Sequence, residues 1–160
     1  MPDLVMAGVP YPNPNDRLSA QWSQLMREGQ PRGPRQLGSQ STDTPVATII
    51  DSLARADGVV GSLLIGADGL TTSSAGFKNG AAATVAAQAI DIVRVCHSLA
   101  LRLGAGACIN TMIEGHQGRM MAVMIDDRVL VALARRGVAI APAVLAMREA
   151  ARRLRELAEG

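Results

Sequence analysis

Residues 80 to 103, GAAATVAAQAIDIVRVCHSLALRL, constrain this chain more than any other stretch. Read at helical spacing, the polar residues Thr84, Gln88, Asp91, Arg94, Ser98 and Arg102 share one stripe filling about a third of the circumference. The remaining apolar arc is about 200° wide, whereas a one-sided surface helix needs roughly 100°. One sheet cannot cover such an arc. More of the same chain, or a second copy of it, has to cover the excess.

The 160 residues suffice for one domain with a real core. Tyr11, Trp22 and Phe77 are the aromatic residues, so the core must be built from Ala, Val, Ile, Leu and Met. A net charge of +2 is too small to argue for nucleic acid. So few aromatics offer no platform for stacked bases. Cys96 and Cys108 lack a CxxC spacing and sit in apolar runs, which suits buried free thiols. The N-terminal MPDLVMAGVPYPNPND has neither a basic region nor a continuous apolar run, so it does not fit a signal peptide. No uninterrupted apolar stretch is long enough to span a bilayer, and membrane insertion is not expected. A cytoplasmic location is the expectation.

Residues 1–42 differ from the rest. Six prolines (Pro2, Pro10, Pro12, Pro14, Pro31, Pro34) lie there with a Gly-, Ser- and Gln-rich run. Such a segment buries too little apolar surface to offset its chain entropy. Within it, Asn15 or Asp16 could cap a short helix over 16–27 with Leu18, Trp22, Leu25 and Met26 on one face. A helix that short is marginal alone. It docks on the folded domain, docks on a partner, or stays unfolded.

The domain is expected over 43–160. Thr42 or Asp43 can cap a helix with Pro45 in its first turn and Val46, Ile49, Ile50 and Leu53 on one face, ending at Asp57-Gly58. Val59–Gly66 and Leu70–Ala75 flank Ala67-Asp68-Gly69, a strong hairpin signal. The long helix ends at Gly104-Ala105-Gly106. Strands over Ala107–Glu114, Arg119–Ile125 and Arg128–Ala134 then form an antiparallel meander. A one-sided amphipathic helix closes the chain from Ala141 to Ala158, with Pro142 in its first turn. The fold class is α/β of the α+β type, in the order α-β-β-α-β-β-β-α. Strands apolar on both sides, such as Val129-Leu130-Val131-Ala132-Leu133, call for helices on both faces of the five-stranded antiparallel sheet. The first and last helices share one face, and the long helix has the other to itself.

Catalytic signatures are missing. There is no phosphate loop and no GxGxxG after a strand. His97 and His116 lack zinc-ligand spacing to each other, and Cys96 and His97 point apart on a helix, so no metal site is expected. Ser73-Ser74 have no GxSxG surround. Asp126-Asp127 suit a turn better than a carboxylate pair. Arg135-Arg136 suit a solvated strand end. No cofactor is expected.

The element order resembles the Roadblock family, the dynein light chain roadblock type. The resemblance is carried by Gly58-Val59-Val60-Gly61-Ser62-Leu63-Leu64-Ile65 followed by Asp68-Gly69-Leu70, by Gly80-Ala81-Ala82-Ala83, and by Ile113-Glu114 with Gly118. The strand at 129–133 and the closing helix fit as well, so the likeness covers about residues 43–159. Phe77-Lys78-Asn79 departs from it, since such proteins often carry acidic residues there. The resemblance implies a profilin-like sandwich and a non-enzymatic homodimer in which central helices pack side by side and third strands pair. It also implies a regulator or scaffold of a small Ras-like GTPase.

On that basis Ala86, Ile90, Val93, His97 and Leu101 are expected at the dimer contact, with Val85, Ala89, Ile92, Cys96 and Leu103 facing the sheet. Third-strand residues Cys108, Ile109, Asn110, Thr111, Met112 and Ile113 would pair across the two-fold, hiding an open edge. The stripe Gln88, Asp91, Arg94 and Ser98, doubled by symmetry, would bind the partner, and Trp22 is a further partner-binding candidate. Arg94 and Arg135 are the residues to try as arginine fingers. The alternative is a structural assembly subunit tethered through its N-terminal extension, without GTPase regulation.

Overall fold

The computed structural model describes residues 44–78 and 80–160. Helix α1 (Pro45–Ala54) leads into strands β1 (Val59–Ile65) and β2 (Thr71–Ala75). Helix α2 (Ala81–Arg102) follows, then β3 (Asn110–Glu114), β4 (Gly118–Ile125), β5 (Arg128–Arg135) and α3 (Ala141–Glu159). The expected helix at 16–27, with Trp22, lies outside the described residues.

All five strands join one antiparallel sheet in the order β2-β1-β5-β4-β3. Glycine makes the first hairpin possible: Gly69 has φ +80°, while Asp68 Oδ1 accepts from the Leu70 amide at 3.0 Å. The register between β1 and β2 shifts at Leu64/Ile65. The loop into α2 is held by Phe77, whose ring lies so close over Gly61 that a Cβ there would stand 2.9 Å from it.

The core has two halves. On one face α1 and α3 cover the sheet, bringing Ile49, Ile50 and Leu53 together with Leu64, Leu130, Met147 and Leu154. On the other face α2 is the one helix among the described residues, with Ala86, Ala89 and Val93 packed against Leu63, Ile65, Val131 and Leu133. Central strands β1 and β5 are therefore buried on both sides, which explains their unbroken apolar runs.

Two boundaries differ from expectation. The cap of α1 is Thr44 rather than Thr42 or Asp43, and its side chain accepts from the Ala47 amide at 3.3 Å. The third strand starts at Asn110 rather than Ala107. Only the Ile109 carbonyl extends the pairing, accepting from the Met124 amide at 2.9 Å.

Candidate interaction surface

Alanine-rich sequence and a well-made C-terminus define α2. Gly104 takes φ +73°, its amide bonds to the Leu101 carbonyl at 3.1 Å, and the Ala105 amide bonds to the Ala100 carbonyl at 2.9 Å. This is a Schellman motif, satisfying carbonyls the helix would otherwise leave open. By length and composition α2 could cross a bilayer. Its Ala86-Ala89-Val93 face is instead packed on the sheet, and exposed Asp91 and Arg94 interrupt the opposite side.

The expected rotation of α2 needs correcting. Ala86 and Val93, expected at the dimer contact, are buried against the protomer's own sheet. Leu103, expected to face the sheet, is 73 % exposed as the C-cap residue. Taking Ala82, Ala86, Ala89 and Val93 as the inward line, the helix is turned by about 60° from the expected orientation at ~100° per residue. Small side chains explain it, since Ala82, Ala86 and Ala89 let the helix axis come close to the sheet. Ala89 faces inward as expected, and Val85 and Ile92 flank the contact. Cys96 is half-buried.

The remaining contact candidates lie along one side. Ile90 is partly buried against the α2-side core and His97 is half-buried, whereas Leu101 is exposed. The Cys108 amide donates to His97 Nδ1 at 3.3 Å, tying this flank of α2 to the approach to β3. Cys108 is half-buried, and its thiol sits 3.3 Å from the Asn110 carbonyl and 3.4 Å from Thr111 Oγ1. β3 is an edge strand. From its register with β4, Thr111 and Ile113 share the α2 face, whereas Asn110, Met112 and Glu114 share the face of α1 and α3. Ile109, Asn110, Met112 and Ile113 are exposed, and Thr111 is half-buried.

Gln88, Asp91, Arg94 and Ser98 form an exposed stripe along the outer side of α2. Arg94 Nη1 lies 4.0 Å from Asp91 Oδ1, with both side chains open to water. Such a pair contributes little and leaves both charges free to meet a partner.

With the architecture, the free strand edge and the solitary α2 in place, the comparison with known families is decisive. The sequence profile described as Roadblock/LC7 domain matches residues 45–134. The chain belongs to the Roadblock/LC7 domain family. An uncharacterised Methanocaldococcus jannaschii protein, MJ0714, is 28 % identical over 115 residues, covering 72 % of this chain and 98 % of that protein. The fold is similar to that of Myxococcus xanthus MglB, with a TM-score of 0.68 at 21 % identity over 74 % of this chain and 98 % of that one. It is also similar to a Roadblock/LC7 domain from Streptomyces avermitilis, with a TM-score of 0.66 at 20 % identity over 71 % of this chain and 98 % of that one.

Two features of this Roadblock/LC7 domain escaped the sequence reading. Val95 and Leu99, 67 % and 51 % exposed, form an apolar ridge on the flank of α2 turned away from His97. Leu99 belongs to the broad apolar arc, whereas Val95 falls between Gln88 and Arg102 inside the polar stripe, which hides the i, i+4 pair in the sequence. The second is an ionic cluster at the β3–β4 turn. Glu114 faces Arg119 at 3.2 Å and Arg136 at 3.7 Å, and Arg136 Nη1 lies 3.3 Å from His116 Nδ1. Arg119 Nη1 also donates to the Val138 carbonyl at 2.9 Å. Arg136 was expected to be a solvated strand end, but here it ties the β5 exit to the β3–β4 hairpin.

Proposed function

We propose that this protein is a non-catalytic, homodimeric regulator or scaffold that binds a small Ras-like GTPase in the cytoplasm. The observation that carries the self-association is the company kept by β3. Exposed Ile113 lies in an edge strand with pairing capacity to spare and exposed Ile109 just before it, while exposed Leu101 follows His97 on the flank of α2 that Cys108 ties to their approach. An apolar patch against a free edge favours burial by another copy. Ile90 and His97 continue that seam along α2. Membership of the Roadblock/LC7 family supports the GTPase part of the reading, through the role that the sequence resemblance implies. The stripe Gln88-Asp91-Arg94-Ser98 is the proposed docking line, present twice in a dimer.

Two measurements test this. Light scattering on Leu101→Asp and Ile113→Lys variants should give the mass of one chain where the unmodified protein gives two. A pull-down with a small Ras-like GTPase, loaded in turn with GDP and a GTP analogue, should capture it in at least one state. Asp91→Arg with Arg94→Glu should abolish capture while leaving the dimer's mass unchanged. Absence of binding in both nucleotide states defeats the GTPase reading, and a dimer that survives both apolar changes defeats the proposed seam.

A further inference from the structure

The face of the sheet opposite α2 is covered unevenly. α1 packs on β1 and β2, and α3 packs on β4 and β5. Edge strand β3 projects past them as a shelf. On this face its Asn110, Met112 and Glu114 are exposed, Met112 at 57 %. Beside it in β4 lies Val123, half-buried against the core under α1 and α3.

α3 turns a particular flank to that shelf. Its Ala146, Glu149, Ala150 and Arg153 line a crevice against Ile49, Ser52 and Leu53 of α1. About 180° around the helix, at ~100° per residue, Val144, Arg148 and Arg155 face the other way. The Arg155 guanidinium donates to the Met124 carbonyl of β4 at 3.2 Å, which fixes that orientation. Arg148 is exposed on the same flank, whereas Arg152 is neutralised by Glu149 and Glu156 on the outer side. Glu159 joins this flank only at the last residue of the helix.

Pairing through β3 makes one groove of two shelves. A two-fold axis normal to the sheet keeps both α3 helices on one face and brings the two Met112 side chains to either side of the axis. With each α3 above the β4–β5 boundary, the two α3 axes stand four strand spacings apart, roughly 19 Å at about 4.8 Å each. Packed helices stand about 8–10 Å apart, so one further helix fits between them and touches both. The floor is Met112 and Val123 from each copy, apolar and, at Met112, adaptable. The walls carry Arg148 and Arg155 from each copy. Glu114, the acid of the floor, is already engaged by Arg119 and Arg136.

We propose that the dimer holds one acidic amphipathic helix of a partner protein in this groove, its apolar stripe on Met112 and Val123 and its carboxylates against Arg148 and Arg155. The groove rests on the β3-paired dimer proposed above. It lies on the face opposite the Gln88-Asp91-Arg94-Ser98 stripe, so a scaffold can hold both partners at once. A single helix on a two-fold axis gives one partner per two chains, in either of two equivalent directions.

The test uses the full chain and a fluorescein-labelled peptide of about 18 residues, with Leu at helical i, i+3, i+4 spacing and Glu and Ala elsewhere. Its anisotropy should rise and saturate at one peptide per two chains. Arg148→Glu should weaken binding about tenfold, and Met112→Lys should do so independently, each with the thermal melt and the dimer mass unchanged. Leu145→Glu, exposed on the outer side of α3, should leave the affinity unchanged, as should Asp91→Arg with Arg94→Glu on the other face. The proposal falls if the peptide does not bind, if it saturates at one per chain, or if Arg148→Glu and Met112→Lys leave the affinity as it was. It falls equally if a peptide with Leu shuffled out of helical spacing binds as well, which means that charge alone attracts. A peptide with Lys in place of Glu that binds as well also defeats it, since apolar contact alone then suffices. Light scattering separates this from the dimer itself. A two-chain mass without peptide binding removes the groove and keeps the pair, whereas a one-chain mass for the unmodified protein removes both.

Discussion

At the scale of single residues, buried polarity is rare and specific among the described residues. Ser62 is fully buried in β1, and its hydroxyl donates to the Ile50 carbonyl at 2.7 Å. That bond joins α1 to the sheet. Ser62→Ala should cost about 1 kcal/mol, the usual net worth of such a bond, read as a lower urea midpoint with an unchanged slope. Charge on the surface matters less. Arg152 bonds to Glu149 at 2.6 and 3.0 Å and also reaches Glu156. The hydrogen bond from Arg152 is the main cause that holds the Glu149 carboxyl below its ordinary value. A lowered carboxyl stabilises the fold where it is ionised, and that contribution fades as pH falls through the lowered value. Glu149→Gln should therefore reduce Tm slightly at neutral pH and not at strongly acid pH, with a small effect throughout because the pair is solvated.

At the scale of elements, punctuation was easier to read than rotation. Asp68-Gly69 marked the first hairpin, Gly104 the end of α2 and Pro142 the start of α3, because each residue type suits few backbone positions. The roles of α1 and α3 on one face and α2 on the other followed from apolar strands needing cover on both sides. The rotation of α2 was not legible. Val, Ile, Leu and Ala spread around an arc of about 200°, so hydrophobicity alone leaves several orientations nearly equal. The fold turns Ala86, Ala89 and Val93 inward and Val95 and Leu99 outward. Ala89→Leu tests this, since it would force the helix off the sheet at a cost of about 1–3 kcal/mol. Ala87→Leu, on the exposed side, should leave the denaturation midpoint nearly unchanged. The candidate contact on β3 came from the family resemblance and the need to hide an open edge; the exposure of Met112 and Ile113 is a finding of the structure. The Glu114-Arg119-Arg136 cluster was not, because its members meet only through the register of β3, β4 and β5.

At the scale of the whole molecule, the described helices fill one face of the sheet up to its β3 edge and about half of the other. α1 and α3 cover their face together, while α2 alone covers the other. If a second copy fills that vacancy, stability is linked to association, and Tm should rise with protein concentration. Scans over a hundredfold range of concentration check this; a constant Tm would mean that the protomer is self-sufficient. The two edges of the sheet differ in kind. β3 offers Met112 and Ile113, whereas β2, equally long, is the polar Thr71-Thr72-Ser73-Ser74-Ala75 beside a register shift in β1. Copies that join through β3 expose only β2 edges to the outside, and those have little to offer a further strand. If copies do join through β3, the sheet carries its own stopping rule: growth has one sticky side, is spent in a single step, and ends at a closed pair rather than a fibre.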